Sequence, residues 1–167
     1  VFFRTSKNQK LNMKKYILIV FLSPLLLSLE KNKADCSDAE LFFVSPKDES
    51  VIKQSKFKVQ FGSRNIQISP AGIEVERLKD CHVSGHHHLI INNSYNVQEN
   101  IGIPIPFDRN ILHFGGGQTE TLLTLPPGKY SLQLALGDSQ HRPVESTNVK
   151  QEKNIILSEE INIEIIA

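Results

Sequence analysis

The sequence predicts an all-β protein, an immunoglobulin- or fibronectin-III-like Greek-key β-sandwich of about seven strands. Three observations carry that expectation. From Glu40 onward the apolar residues recur at period two, which is the strand period. Turn-forming clusters such as Ser45-Pro46-Lys47-Asp48 punctuate the apolar runs. Tyr130 opens a strand directly after the corner Leu125-Pro126-Pro127-Gly128, as in strands that cross between the sheets of immunoglobulin-like sandwiches.

In chain order, Leu41 to Val44 is a short apolar strand ended by the Ser45-Pro46 turn. Lys56 to Phe61 alternates Phe57, Val59 and Phe61 with Lys56, Lys58 and Gln60, so one face is buried and the other wet. Residues 62 to 80, broken by Ser69-Pro70-Ala71-Gly72, form a long connection with room for a short edge strand. His87 to Ile91 is apolar beyond its two histidines, as a strand covered on both faces would be. Asn92 to Asn110, with Asn92-Asn93, Pro104 and Pro106, reads as a surface loop. Short strands at 111 to 114 and 121 to 125 flank a triple glycine, and Tyr130, Leu132, Leu134 and Leu136 alternate into Gly137-Asp138. Residues 142 to 156 are polar and read as a mobile loop, and Ile161, Ile163 and Ile165 alternate in a closing strand.

A chain of 167 residues suits one domain with a proper core, and 40% apolar with 22% charged residues is ordinary globular composition. Residues 1 to 12, upstream of the single methionine, are expected to be an over-extended gene start. Met13, Lys14 and Lys15 followed by the apolar run Ile17 to Leu27 have the order of a signal peptide, so residues 1 to 35 stand apart from a single β-domain at 36 to 167. That run falls short of the ~20 apolar residues a bilayer span needs. The reading is an exported protein, periplasmic or extracellular, with an uncleaved N-terminal tether as the alternative. From residue 36 onward 12 Lys/Arg face 16 Asp/Glu, so the basic footprint of a nucleic-acid binder is absent. Cys36 and Cys81 are candidates for a disulfide in an oxidising compartment; a free pair, or Cys81 as a metal ligand, are the rival readings.

All six histidines lie between Cys81 and His141, in three polar clusters: His82 with His86-His87-His88, then His113, then His141. If successive strands run up and down, the three clusters occupy connections at one end of the sandwich. Strand geometry puts His86 and His88 on one face, two steps of ~3.3 Å apart, and His87 on the other. His86, His88, His113 and His141 are therefore the candidate ligands of one metal ion, copper or zinc, since imidazole suits both. Asp138, Glu120 and Gln118 are the candidates to orient the ligating rings from behind.

The plainer readings stand beside these. His87 is expected to be a core residue, and the four other rings a polar network bracing loops. Gly115-Gly116-Gly117 reads as a tight turn needing positive φ or close backbone approach, because no Gly-Lys-Ser/Thr follows it. Gln118 and Glu120 then only hydrogen-bond their loop, and Asp138 only closes a turn.

Phe43-Val44-Ser45-Pro46-Lys47-Asp48, Pro70-Ala71-Gly72, Gly85-His86-His87-His88-Leu89-Ile90-Ile91, His113-Phe114-Gly115-Gly116-Gly117-Gln118-Thr119-Glu120 and the stretch from Leu125 to Leu134 resemble the domain of unknown function 4399 family. So do Leu136-Gly137-Asp138 and His141. The resemblance covers roughly residues 41 to 166 and implies an exported, mostly bacterial β-domain, without an activity, substrate or cofactor. Members often carry a second histidine and paired prolines after the last cluster, where this chain has Arg142-Pro143-Val144-Glu145. They also commonly begin the second cluster with His-x-His, and here Ile111 takes the first place.

Two functions from different classes follow. One is an exported metal-binding domain; the other is a binding module whose loop end recognises a protein, peptide or glycan while the histidines brace the loops. A metallo-hydrolase or oxidoreductase would need an open metal position and a general base such as Glu120, and no catalytic motif supports it.

Overall fold

A computed structural model describes residues 39–76, 78, 82–147 and 153–166. The expected leader at residues 1 to 35, Cys36 and Cys81 lie outside the described residues.

Eleven strands are described: β1 (Glu40–Ser45), β2 (Ser50–Ile52), β3 (Lys56–Arg64), β4 (Ile66–Ile68), β5 (Val83–Ile91), β6 (Ile111–His113), β7 (Glu120–Thr124), β8 (Gly128–Gly137), β9 (Glu145–Thr147), β10 (Lys153–Ile155) and β11 (Ile161–Ile165). One sheet has the order β1-β3-β7 and a second the order β2-β11-β8-β5, with β4 and β6 both against β5. β1, β3 and β7 face β5, β8 and β11, the division that immunoglobulin-like sandwiches make between their two sheets. The protein is an all-β sandwich.

Alternation builds the core. Phe57, Val59 and Phe61 of β3 and Leu123 of β7 point inward from one sheet. Leu89 and Ile91 of β5, Leu132, Leu134 and Leu136 of β8, and Ile161, Ile163 and Ile165 of β11 meet them from the other. Full burial of each such side chain contributes about 1.5–3 kcal/mol. At the corner between β7 and β8 the Tyr130 hydroxyl donates to the Pro126 carbonyl at 2.9 Å, fastening the crossover.

The extra strands are short and lie at edges or in connections. β2 pairs parallel with β11, and β4 pairs parallel with β5, so the up-and-down order expected from the sequence is broken at both places. Asn65, at φ 54°, makes the bend that carries the chain from β3 into β4. The stretch 142 to 156, expected to be a loop, contains β9 and β10 paired antiparallel, although 148–152 are not described. Polarity hid these strands: β9 and β10 are polar at most positions, with Lys153 and Asn154 exposed, while Ser146 and the neighbouring Ile156 are buried.

The six-stranded sheet is covered on its outer face as well. Ile90, Ala135 and Ile111 point outward, under Val97 and Ile105 of the 92–110 connection. Asn92 and Asn93 turn the chain there with φ of 54° and 50°, and Asn92 accepts the Ser131 amide. This connection was expected to be a surface loop. It instead runs back across the sheet until the Ile105 amide donates to the His141 carbonyl at 2.8 Å. The reason is apolar: Val97 and Ile105 would otherwise leave the outer face of β5 and β8 wet.

Candidate metal centre

Strand parity decides which histidines meet. In β5, Leu89 and Ile91 point into the core, so His87 does too, and its ring packs against Phe61 with centroids 5.1 Å apart. His86 and His88 point to the outer face. β8 lies alongside with His86 opposite Gly137 and His88 opposite Ala135. Two small residues on the neighbouring strand leave room for two imidazoles.

Gly137 is indispensable there: a Cβ would sit 2.6 Å from His88 Nε2 and 3.4 Å from His86 Nε2. On the other side of β5, β6 places His113 directly opposite His88. Gly115 allows the chain to turn beneath that ring, since a Cβ there would collide with its Cε1. His141 arrives from the turn after β8.

The four rings form one cluster, with His113 and His141 centroids 4.7 Å apart, His86 at 4.9 Å from His113 and 5.1 Å from His141, and His88 at 5.1 Å from His113. The Nε2 atoms of His86 and His88 are 3.1 Å apart. One ligand atom from each of His86, His88 and His113 lies within 4.8 Å of the others. His86 and His88 are fully buried, while His113 and His141 are half-buried, so the open side of the cluster is theirs.

Burial sets the charge state. It pushes His86 down to about 4, helped by repulsion from His113 and His141 and opposed by Asp138. It pushes His88 down to about 3, reinforced by the neighbouring histidines, and lowers His113, with His141 adding to the effect. These three rings are neutral at pH 7, the form in which imidazole binds a metal. His86 Nδ1, His88 Nδ1 and His113 Nε2 are buried without hydrogen-bond partners among the described residues. Two imidazole nitrogens at ~2.0–2.1 Å from one tetrahedral ion stand about 3.3–3.4 Å apart, close to the spacing of the His86–His88 pair. The cluster could hold a metal ion.

The carboxylates and amide expected to orient the rings make their hydrogen bonds to other groups, although Asp138 still acts on His86 through its charge. Asp138 Oδ1 accepts the amides of Gln140 and Arg142 at 2.8 and 2.9 Å, and Oδ2 accepts Arg142 Nε at 2.9 Å, so this carboxylate closes the turn that carries His141. Gln118 Oε1 accepts the Gly116 amide at 2.9 Å, and Gly117 takes φ 77°, which is the turn role expected of the triple glycine. The Glu120 carboxylate accepts from Lys58 and Gln60 of β3, each at 3.0 Å, and hydrogen bonding to Lys58 holds it below the usual carboxylate range.

Residues with no chemistry of their own complete the site, and sequence reasoning missed them. The amides of Ser69, Ala71 and Gly72 donate to the carbonyls of Gly85, Gly115 and Ser139 at 2.8, 2.8 and 2.9 Å. One short loop thus ties together the three segments that bear the histidines. The string Pro70-Ala71-Gly72 was visible, but backbone hydrogen bonds leave no side-chain signal.

The chain matches the family described as Domain of unknown function (DUF4399) over residues 59–165. No curated protein and no solved structure matches it.

Proposed function

The chain belongs to the DUF4399 family, which lends it no activity, and from the geometry of its histidines we propose that it is an exported domain binding one transition-metal ion, copper or zinc. The observation that carries this reading is the facing pair His86 Nε2 and His88 Nε2, 3.1 Å apart and completed by His113. A proton shared between those nitrogens and a metal ion held by both need nearly the same geometry, so a small outward shift of the rings exchanges one for the other. Copper and zinc are favoured because the set is all imidazole, without the carboxylates that harder cations take. Export rests on Lys14-Lys15 and the apolar run from Ile17 to Leu27.

The test is calorimetric titration of the untagged protein with Zn(II) and Cu(II). One ion per chain is expected, and His113→Ala is expected to lose stoichiometric uptake, by loss of a direct ligand. Absence of uptake by the unaltered chain rejects the reading.

A second reading has its own observation. Phe107 is 78% exposed with its ring 6.5 Å from that of His113, and Ile101 and Ile103 are exposed on the same connection. These apolar side chains suit a loop end that recognises a protein, peptide or glycan, with the histidines serving as braces. In that case chelators leave the melting temperature unchanged and Phe107→Ser abolishes partner binding.

A further inference from the structure

We propose that His141 is the exchangeable fourth ligand of the cluster, the group that opens to load and release the ion, while His86, His88 and His113 retain it. This rests on the metal-binding reading above and adds to it a division of labour among the four rings.

The geometry is three plus one. His86, His88 and His113 supply nitrogens within 4.8 Å of one another. The His141 ring stands at 4.7 Å from His113 and 5.1 Å from His86 but 6.0 Å from His88, on the half-buried side of the cluster that it shares with His113. An ion seated on the three nitrogens keeps a fourth position, and His141 is the imidazole beside it.

The backbone of His141 carries the argument further. Its φ is 67°, the left-handed region where a side chain is strained and where glycine or asparagine would sit more easily. The strained turn is held from several sides. The His141 amide donates to the Asp138 carbonyl at 2.9 Å, and its own carbonyl accepts from Ile105 at 2.8 Å. The Asp138 carboxylate clamps the amides on either side of it, at Gln140 and Arg142. The Gly72 amide holds Ser139. The surroundings hold a histidine in that conformation, and the ring it carries is the one beside the open position of the cluster. With the backbone pinned, exchange is a motion of the imidazole alone. One nitrogen–metal bond breaks, a bond from water or from an incoming donor atom forms, and neither the oxidation state nor the fold changes.

The experiment compares the unaltered chain with His141→Asn and His141→Gly, both of which accept the left-handed turn, and with His113→Ala. Each protein is loaded with Zn(II), and release to excess EDTA is followed by stopped flow, with thermal melts of the metal-free forms alongside. The His141 variants are expected to bind one Zn(II) and to melt no lower than the unaltered chain. They are expected to release the ion at least about tenfold faster, the scale that even an outer partner of a metal ligand carries. His113→Ala is expected to lose stoichiometric binding. Release at the unaltered rate from both His141 variants makes the ring a bystander and overturns the proposal. Loss of Zn(II) binding in them, matching His113→Ala, makes it an equal ligand and also overturns it. Failure of the unaltered chain to bind Zn(II) or Cu(II) is a different result, which removes the metal site itself.

Discussion

At the scale of single residues, the site depends as much on what is missing as on what is present. Gly137 faces His86 across the β5–β8 ladder, and its lack of a side chain is what lets the two imidazoles approach to 3.1 Å. The substitution Gly137→Ala would place a methyl 2.6 Å from His88 Nε2 and 3.0 Å from its Cδ2, so that the buried ring must shift to admit it. Overpacking of that kind costs about 1–3 kcal/mol. The expected outcome is a lower urea midpoint together with loss of metal uptake, because the methyl separates the ligand pair. An unchanged titration would mean that the rings do not use this space.

At the scale of elements, the loop from Ser69 to Gly72 does for the cluster what a hairpin turn does for two strands. It reaches β5, the turn after β6 and the turn after β8 through backbone amides alone. Replacing Ala71 by proline removes the donor to the Gly115 carbonyl and leaves that acceptor to water. Loss of one such hydrogen bond costs about 0.5–1.5 kcal/mol. The larger effect falls on the turn beneath His113, so the affinity for Zn(II) should drop more than stability does. Calorimetry and thermal melts on one sample compare the two.

At the scale of the whole molecule, the buried histidines couple folding to pH. In the folded chain burial holds His86 and His87 at about 4 and His88 at about 3, whereas an unfolded histidine titrates near 6.5. For His87 the nearby backbone of Gln118 acts in the opposite direction, yet among the described residues neither ring nitrogen finds a well-aligned hydrogen-bond partner. Between about pH 6.5 and 3 the unfolded chain therefore binds protons that the folded chain does not. Stability is full above that window, falls as the pH drops through it, and levels off below the folded values, a loss on the order of several kcal/mol. Equilibrium urea unfolding at pH 7.5, 6, 5, 4 and 3 measures it, with conditions spanning the window set by these histidines. His87→Leu should shallow the slope, since it removes one ring from the core and leaves the outward cluster in place.

Much of the sandwich was legible from the chain alone. Phe57, Val59 and Phe61, then Tyr130, Leu132, Leu134 and Leu136, write the strand period openly, and that period also put His86 and His88 on one face and His87 on the other. The tyrosine after the Pro-Gly corner announced the crossover that its hydroxyl fastens. What the chain could not carry by itself was the choice of partners. β2 and β4 are three residues each, too short for a pattern, and they exist because longer neighbours offer them an edge. The path of residues 92 to 110 over the outer face follows from a burial need that arises only after β5 and β8 have paired. The amino-acid order determined an all-β domain and which histidines share a strand face, because those are local properties with a fixed repeat. Tertiary closure decided that four rings share one small space, with Gly137 as its floor and His141 at its mouth, because pairing register and loop return are properties of contacts between distant segments.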